Sequence, residues 1–147
     1  MPSMVLPPGN RLQSLGLPPL GLLVLSLLAL TATACGSTQD QPARDVAVRF
    51  YSAVADHDGR VACGLLAPDT VDELEQSARK PCAQALFDEG LPTVRQPEQV
   101  RAYGTMAQVG YDGETVFLTR FPDGWRVMAA GCTPAAAERY NCQVKGG

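Results

Sequence analysis

The segment that decides the fold is YDGETVFLTRFPDGWRV, residues 111–127. It contains an Asp-Gly pair at 112–113 and a Pro-Asp-Gly triplet at 122–124, on either side of a run rich in β-branched and aromatic residues. An Asp-Gly pair between apolar runs is a strong indication of a β-hairpin, and Pro-Asp-Gly is typical of a turn. The segment therefore predicts an antiparallel meander, in which a long strand over residues 99–111 comes first and a strand over 125–132 comes last.

Before this meander, apolar residues recur with a helical period. They predict a first helix over residues 42–55 and shorter helical segments at 60–66, 70–80 and 81–89. Helices followed by an antiparallel meander are typical of an α+β fold, in which the helices cover one face of the sheet. The apolar positions predict a core made of Phe50, Val54, Leu65, Leu66, Leu74, Leu86, Phe117, Trp125 and Val127.

Residues 1–34 have the composition of a secretory signal peptide. No charged side chain occurs between Arg11 and Asp40, and residues 20–30 (LGLLVLSLLAL) are almost wholly apolar. A basic residue, a short apolar run and small residues before the cut are the parts of such a signal. The alternative is a retained transmembrane anchor, which needs about 20 apolar residues, whereas only the 15 residues from 20 to 34 are available. We expect cleavage directly before Cys35 and an extracytoplasmic location in a bacterial cell envelope.

The cysteine at the cleavage position is one of five in the chain, and an odd number in an exported protein requires an explanation. Cys35 follows small residues and resembles the lipobox cysteine of bacterial lipoproteins, although Ala32 stands where that pattern usually has Leu. The sequence Ala-Thr-Ala at 32–34 also fits ordinary signal peptidase, which would leave a free thiol. We expect a lipid on Cys35 to anchor the protein in the cell membrane. Residues 35–42 then form a flexible tether, and residues 43–147 form the folded domain.

The remaining four cysteines allow three pairings. We favour Cys63–Cys82 and Cys132–Cys142, because each pair joins neighbouring elements and closes a short loop. The second bond would pin the C-terminal tail, which returns through Tyr140 and Cys142. A metal or redox role is disfavoured because no C-x-x-C occurs and His57 is the only histidine. We therefore expect two disulfides, no metal and no cofactor.

The charge of the chain disfavours a nucleic-acid partner. Removal of residues 1–34 takes away Arg11 alone and changes the net charge from −3 to −4. Nucleic-acid binding depends largely on the neutralisation of phosphates by basic side chains. We expect the membrane, through the lipid anchor, to be one partner, and an envelope protein or a small apolar ligand to be the other.

Four segments of the chain resemble the NTF2-like superfamily, whose SnoaL-like and cystatin-like members have a cone shape. They are FYSAVADHDG (50–59), LLAP (65–68), TVFLTRF (115–121) and DGWRV (123–127), and the resemblance covers roughly residues 43–132. It implies helices packed on a curved antiparallel sheet with a concave face between the first helix and the sheet. The side chains that would line this face, or else fill the core, are Phe50, Tyr51, Tyr103, Met106, Phe117 and Trp125.

Three classes of function are compatible with this fold. The first, which we favour, is a non-enzymatic domain that binds a protein, a peptide or a small apolar ligand. The second is an isomerase-like, cyclase-like or dehydratase-like enzyme, as the resemblance implies. Such chemistry needs a carboxylate or an imidazole in an apolar cleft, whereas His57 lies in a polar turn and no catalytic motif is present. The third is a structural accessory of an envelope complex. We expect no catalytic residue.

Overall fold

The computed structural model describes residues 38–137 and 139–146, all of them in the unit Gly36–Gly147. Four helices come first in these residues: α1 (Asp40–Ala55), α2 (Gly59–Gly64), α3 (Pro68–Ala78) and α4 (Cys82–Asp88). Five strands follow: β1 (Gln99–Tyr103), β2 (Met106–Tyr111), β3 (Glu114–Phe121), β4 (Gly124–Pro134) and β5 (Tyr140–Lys145). The predicted α+β class is confirmed. The predicted signal peptide and Cys35 lie outside the described residues.

The strands form one open antiparallel sheet in the order β1-β2-β3-β4-β5. The Asp-Gly pair at 112–113 joins β2 to β3, as predicted, since Tyr111 pairs with Glu114. The segment between α2 and α3 pairs with β4 through Val127, whose N–H donates to the carbonyl of Leu65 at 2.8 Å. This bridge holds the helical layer against the sheet.

The prediction of a single strand over residues 99–111 was wrong. The chain turns between Tyr103 and Met106, which are register partners, and Gly104 has φ +58°. Glycine adopts this left-handed conformation without steric cost. The two resulting strands place Tyr103 on the outer face of the sheet, away from α1, and Tyr111 on the inner face.

The helices begin and end close to the predicted positions. Helix α1 starts at Asp40, two residues before the predicted start, and this shortens the predicted tether. Asp58 caps α2, because its carboxylate accepts the N–H of Val61 at 3.0 Å. Helix α3 starts at Pro68, which suits the first turn of a helix because proline lacks an N–H.

Most of the predicted core is buried between the helices and the sheet. Two of its nine residues are only half-buried: Val54 at the edge of α1, and Phe117. Phe117 lies on the outer face of β3, where its ring packs against Tyr140 with centroids 4.9 Å apart. The parity of β3 explains this position, because Val116 and Leu118 point inward and the residue between them must point outward.

The four described cysteines form the two disulfides that the sequence predicted. Cys63–Cys82 joins α2 to α4, and Cys132–Cys142 joins β4 to β5. The first bond holds two short helices together. The second fixes the C-terminal segment, which the sequence predicted only as a returning tail, as the edge strand β5.

Candidate functional site

The most unusual feature of the interior is a buried polar cluster between α1 and the sheet, formed by Tyr51, Tyr111 and Glu114. Tyr51 follows Phe50 on α1 and is rotated from it by about 100°, so it lies at the margin of the apolar face. Its hydroxyl donates a hydrogen bond to Oε1 of Glu114 and accepts the backbone N–H of Gly131 at 3.3 Å. One phenol oxygen thus connects α1 to both β3 and β4.

Glu114 is the first residue of β3, and only 5% of its surface is exposed. Its second oxygen, Oε2, is buried and has no hydrogen-bond partner among the described residues. Burial raises the pKa of this carboxyl above its usual value, because charge is costly away from water, and the hydrogen bond from Tyr51 offsets part of the effect. Ionisation of Glu114 is therefore less favourable than in an exposed glutamate.

Tyr111 is the register partner of Glu114 across the β2–β3 hairpin, so both side chains leave the same face of the sheet. Its ring meets the ring of Tyr51 edge to face, with centroids 5.3 Å apart. The Tyr111 hydroxyl is buried and finds no partner in the described part of the chain. Burial, and then the nearby Glu114 carboxyl, raises the pKa of Tyr111 to about 12, while Arg44 acts in the opposite direction.

Burial is also the main reason that the pKa of Tyr51 lies well above its ordinary value, and the hydrogen bond and charge of Glu114 act in the same direction. The N–H of Gly131 partly offsets this by donating to the phenol oxygen. Both phenols consequently stay protonated at physiological pH and can donate hydrogen bonds.

Gly131 has to be glycine at this position. Its φ is +64°, and a Cβ there would overlap the side-chain amide of Gln143 and lie 2.9 Å from Leu91. Gly131 contributes to the cluster through its backbone N–H, which donates to the Tyr51 hydroxyl.

A segment without regular structure, residues 90–97, borders the cluster, and we call it the strap. Residues 91–97 form no backbone–backbone hydrogen bond within the described chain. The strap is held instead by side chains: Gln96 accepts a hydrogen bond from Arg44 of α1 at 3.3 Å, and Leu91 and Val94 pack on the core. A segment that is held by so few contacts typically opens at a low free-energy cost.

Three cavities meet at the strap, and Val94 lines all of them. The first has a volume of about 390 Å³ and includes Glu114 and Gly131 in its wall. The second, of about 360 Å³, and the third, of about 240 Å³, are both lined by Tyr51, and the third also by Tyr111. The strap therefore separates spaces that surround a single polar cluster.

The six residues proposed from the sequence to line a concave face do not come together. Phe50 and Trp125 are core residues, and Tyr51 alone of the six borders the cavities at the strap. The other three lie on the outer face of the sheet, where Tyr103 and Met106 are exposed and Phe117 is half-buried. The outer-face position follows from the unpredicted turn at Gly104 and from the parity of β3.

The sequence analysis did not identify Glu114 as a site residue, although a signal was present. Glu114, Val116 and Leu118 alternate along β3 and share its inner face. A carboxylate at an inward position of a strand needs a polar partner, and Tyr51 is that partner. His57, in contrast, is exposed at the end of α1 and packs beside the ring of Phe87, with centroids 5.3 Å apart.

Within the described residues, no three His, Cys, Asp or Glu side chains lie close enough together to hold a metal ion. None of the helices in this part of the chain has the length and apolar character that crossing a bilayer requires. A comparison of the chain with protein-family models, curated proteins and solved structures found no match. The function must therefore be argued from the site.

Proposed function

We propose that this chain is an exported lipoprotein of a bacterial cell envelope, anchored through Cys35, and that its folded domain binds a small uncharged ligand without catalysing a reaction. The observation that carries the binding function is the Glu114–Tyr111 pair. Each of these buried residues has an oxygen that no described residue satisfies; Glu114 lines the first cavity at the strap and Tyr111 lines the third.

An unsatisfied buried polar group costs about 1–3 kcal/mol. A ligand with a carbonyl, hydroxyl or amide group would recover this cost by bonding to Oε2 of Glu114 and to the Tyr111 hydroxyl. Because Glu114 and Tyr111 line different cavities, the ligand reaches both oxygens only when the strap between these cavities is displaced. Burial makes any charge costly in this site, and an ionised Glu114 would also repel a second negative charge, so an anionic ligand is disfavoured. A cavity of about 390 Å³ is of the size that small ligands occupy. The ligand class is therefore uncharged, with one polar group and an apolar body.

The two disulfides support the exported location, because such bonds persist in oxidising compartments and are rare in the cytosol. The lipid anchor is supported by the cysteine count: the structure pairs Cys63 with Cys82 and Cys132 with Cys142, and Cys35 is left over. An NTF2-like cone is supported by helices packed on the inner face of an antiparallel sheet, with the polar cluster between α1 and that face.

Paired probes test the ligand class. We expect acetophenone and benzamide to raise the melting temperature of the purified protein, and benzoate, which has a similar shape and a negative charge, to have no effect. Tyr111→Phe should abolish the shift without destabilising the fold, because it removes a hydroxyl that no described residue satisfies. Tyr103→Phe is the matched control, since it removes an exposed hydroxyl on the other face of the sheet. Equal stabilisation by benzoate, or an unchanged shift in Tyr111→Phe, would contradict the proposal.

One observation favours the enzymatic alternative. Glu114 is a carboxyl of raised pKa beside two phenol donors, which is an arrangement that can move a proton next to a carbonyl group. The decisive measurement is exchange of the methyl protons of acetophenone for deuterium in D2O. We expect no exchange above background. Exchange that is lost in Glu114→Gln would replace the binding function with an isomerase-like one.

A further inference from the structure

The β1–β2 turn exposes two large apolar side chains at one end of the sheet. Tyr103 is 69% exposed and Met106 is 40% exposed. They are register partners and therefore lie side by side on the outer face. Exposed apolar side chains that are contiguous, as these two are, are a feature of contact surfaces.

This turn lies next to the start of α1. The carboxylate of Asp40, the first residue of α1, accepts the backbone N–H of Ala102 at 2.9 Å, and Tyr103 is the next residue. Cys35 precedes Asp40 by five residues. Because an extended residue spans at most about 3.6 Å, Cys35 lies no more than about 18 Å from Asp40. Helix α1 starts earlier than the sequence predicted, and this shortens the chain between Cys35 and the first helix.

One arginine accompanies the apolar pair. Arg101 is exposed and lies two residues before Tyr103, on the same face of β1. Its guanidinium forms no ion pair with a described residue. Guanidinium groups match phosphate oxygens in geometry and charge.

We propose that the turn at residues 103–106 is a second membrane contact, which inserts Tyr103 and Met106 into the headgroup layer while Arg101 binds a lipid phosphate. Tyrosine favours this layer because its ring is apolar and its hydroxyl remains hydrated. The contact rests on the proposed lipid at Cys35. A short tether makes the second contact intramolecular, with an effective concentration in the millimolar range, so that a weak interaction is populated. The inner face of the sheet, with the ligand site, would then be held in a fixed orientation to the bilayer.

The test uses the full chain, processed in a bacterial host and reconstituted into vesicles of phosphatidylcholine and phosphatidylglycerol. Flotation of the vesicles reports the lipid anchor. Tyr103→Trp reports the contact, through quenching of the added fluorescence by brominated phosphatidylcholine. The chain has a single tryptophan, Trp125, which is buried, so the wild-type protein supplies the baseline. Asp56→Trp is the matched control, because it lies at the other end of α1, about 24 Å from Asp40.

We expect co-flotation of all variants, and quenching of the added fluorescence in Tyr103→Trp that exceeds quenching in Asp56→Trp by roughly twofold or more. Adding Arg101→Glu to Tyr103→Trp should reduce the quenching. Flotation with equal quenching at both positions would overturn the second contact and leave the anchor intact. Absence of flotation would overturn both, and quenching unaffected by Arg101→Glu would overturn the binding of phosphate by that arginine.

Discussion

Replacing Tyr51 with phenylalanine removes one oxygen from the centre of the buried cluster and keeps the ring. In the wild-type protein this oxygen donates to Glu114 and accepts the N–H of Gly131. A buried hydrogen bond between neutral groups contributes about 0.5–1.5 kcal/mol, and one to a charged group about 1.5–3 kcal/mol. We expect Tyr51→Phe to lower the free energy of unfolding by about 1 kcal/mol where Glu114 is protonated and by about 2 kcal/mol where it is ionised.

The pH dependence follows from the raised pKa of Glu114. Between its unfolded pKa, near 4.5, and its higher folded pKa, the folded state binds more protons than the unfolded state. The stabilising contribution of Glu114 is therefore complete below pH 4.5 and is lost as the pH rises through the folded pKa. The loss is about 1.4 kcal/mol for each unit that separates the two values. Because the Tyr51 hydroxyl lowers this pKa, Tyr51→Phe should enlarge the loss.

Urea unfolding at pH 4.5 and pH 8, followed by circular dichroism, measures these free energies for the wild type, Tyr51→Phe, Glu114→Gln and the double variant. Glu114→Gln keeps the shape of the protonated carboxyl and cannot ionise, so it should remove the contribution of Glu114 to the pH dependence. Because Tyr51 and Glu114 are in contact, the double-mutant cycle of Tyr51→Phe and Glu114→Gln should give a coupling energy of about 0.5–3 kcal/mol at pH 8. The same loss for Tyr51→Phe at both pH values, or additive single effects, would refute the reasoning.

Two further predictions concern the fold. Removal of the Cys63–Cys82 disulfide by alanine substitution should lower the free energy of unfolding by about 3.2 kcal/mol in the chain-entropy model, because the bond spans 19 residues. Removal of the Cys132–Cys142 disulfide, which spans 10 residues, should lower the free energy of unfolding by less, about 2.7 kcal/mol. Urea unfolding measures both losses, and a larger loss for the shorter loop would contradict the chain-entropy model. Gly59→Ala should destabilise the protein by about 1–3 kcal/mol, because a Cβ there would lie 2.5 Å from a backbone oxygen of α4. Gly64→Ala is the control, because Gly64 lies in the same helix with open space around it, and it should leave the melting temperature nearly unchanged. Equal losses of stability in the two variants would show that the close approach of α4 to Gly59 is unimportant.

Local signals in the sequence predicted the elements where the backbone has a strong preference. The Asp-Gly pair at 112–113 is the β2–β3 hairpin, and the carboxylate of Asp58 caps α2. The same approach failed at Gly104, because the apolar alternation from Tyr103 to Tyr111 continues through the turn. Reversal of the chain changes which face each residue occupies, and a period of two cannot reveal that change.

The candidate site could be predicted only in part. Tyr51 was selected as a lining residue because the resemblance implies a concave face between the first helix and the sheet, and it does border two of the cavities. Glu114 could have been found from its inward parity in β3. Pro92 and Pro97 predict a loop over residues 91–98, and the structure confirms it. The contacts of the strap had no signal, because they are made by side chains from α1 and the core.

The sequence by itself determined that helices precede an antiparallel sheet and where two hairpin turns lie, and it favoured the pairing of the described cysteines. These features depend on backbone preferences and on loops of 10 and 19 residues. Only the tertiary structure decided which polar groups meet in the interior. Tyr51 reaches Glu114 across 63 residues of chain and Gly131 across 80. Contacts at that separation depend on how α1 packs on the sheet, and no local pattern encodes that packing.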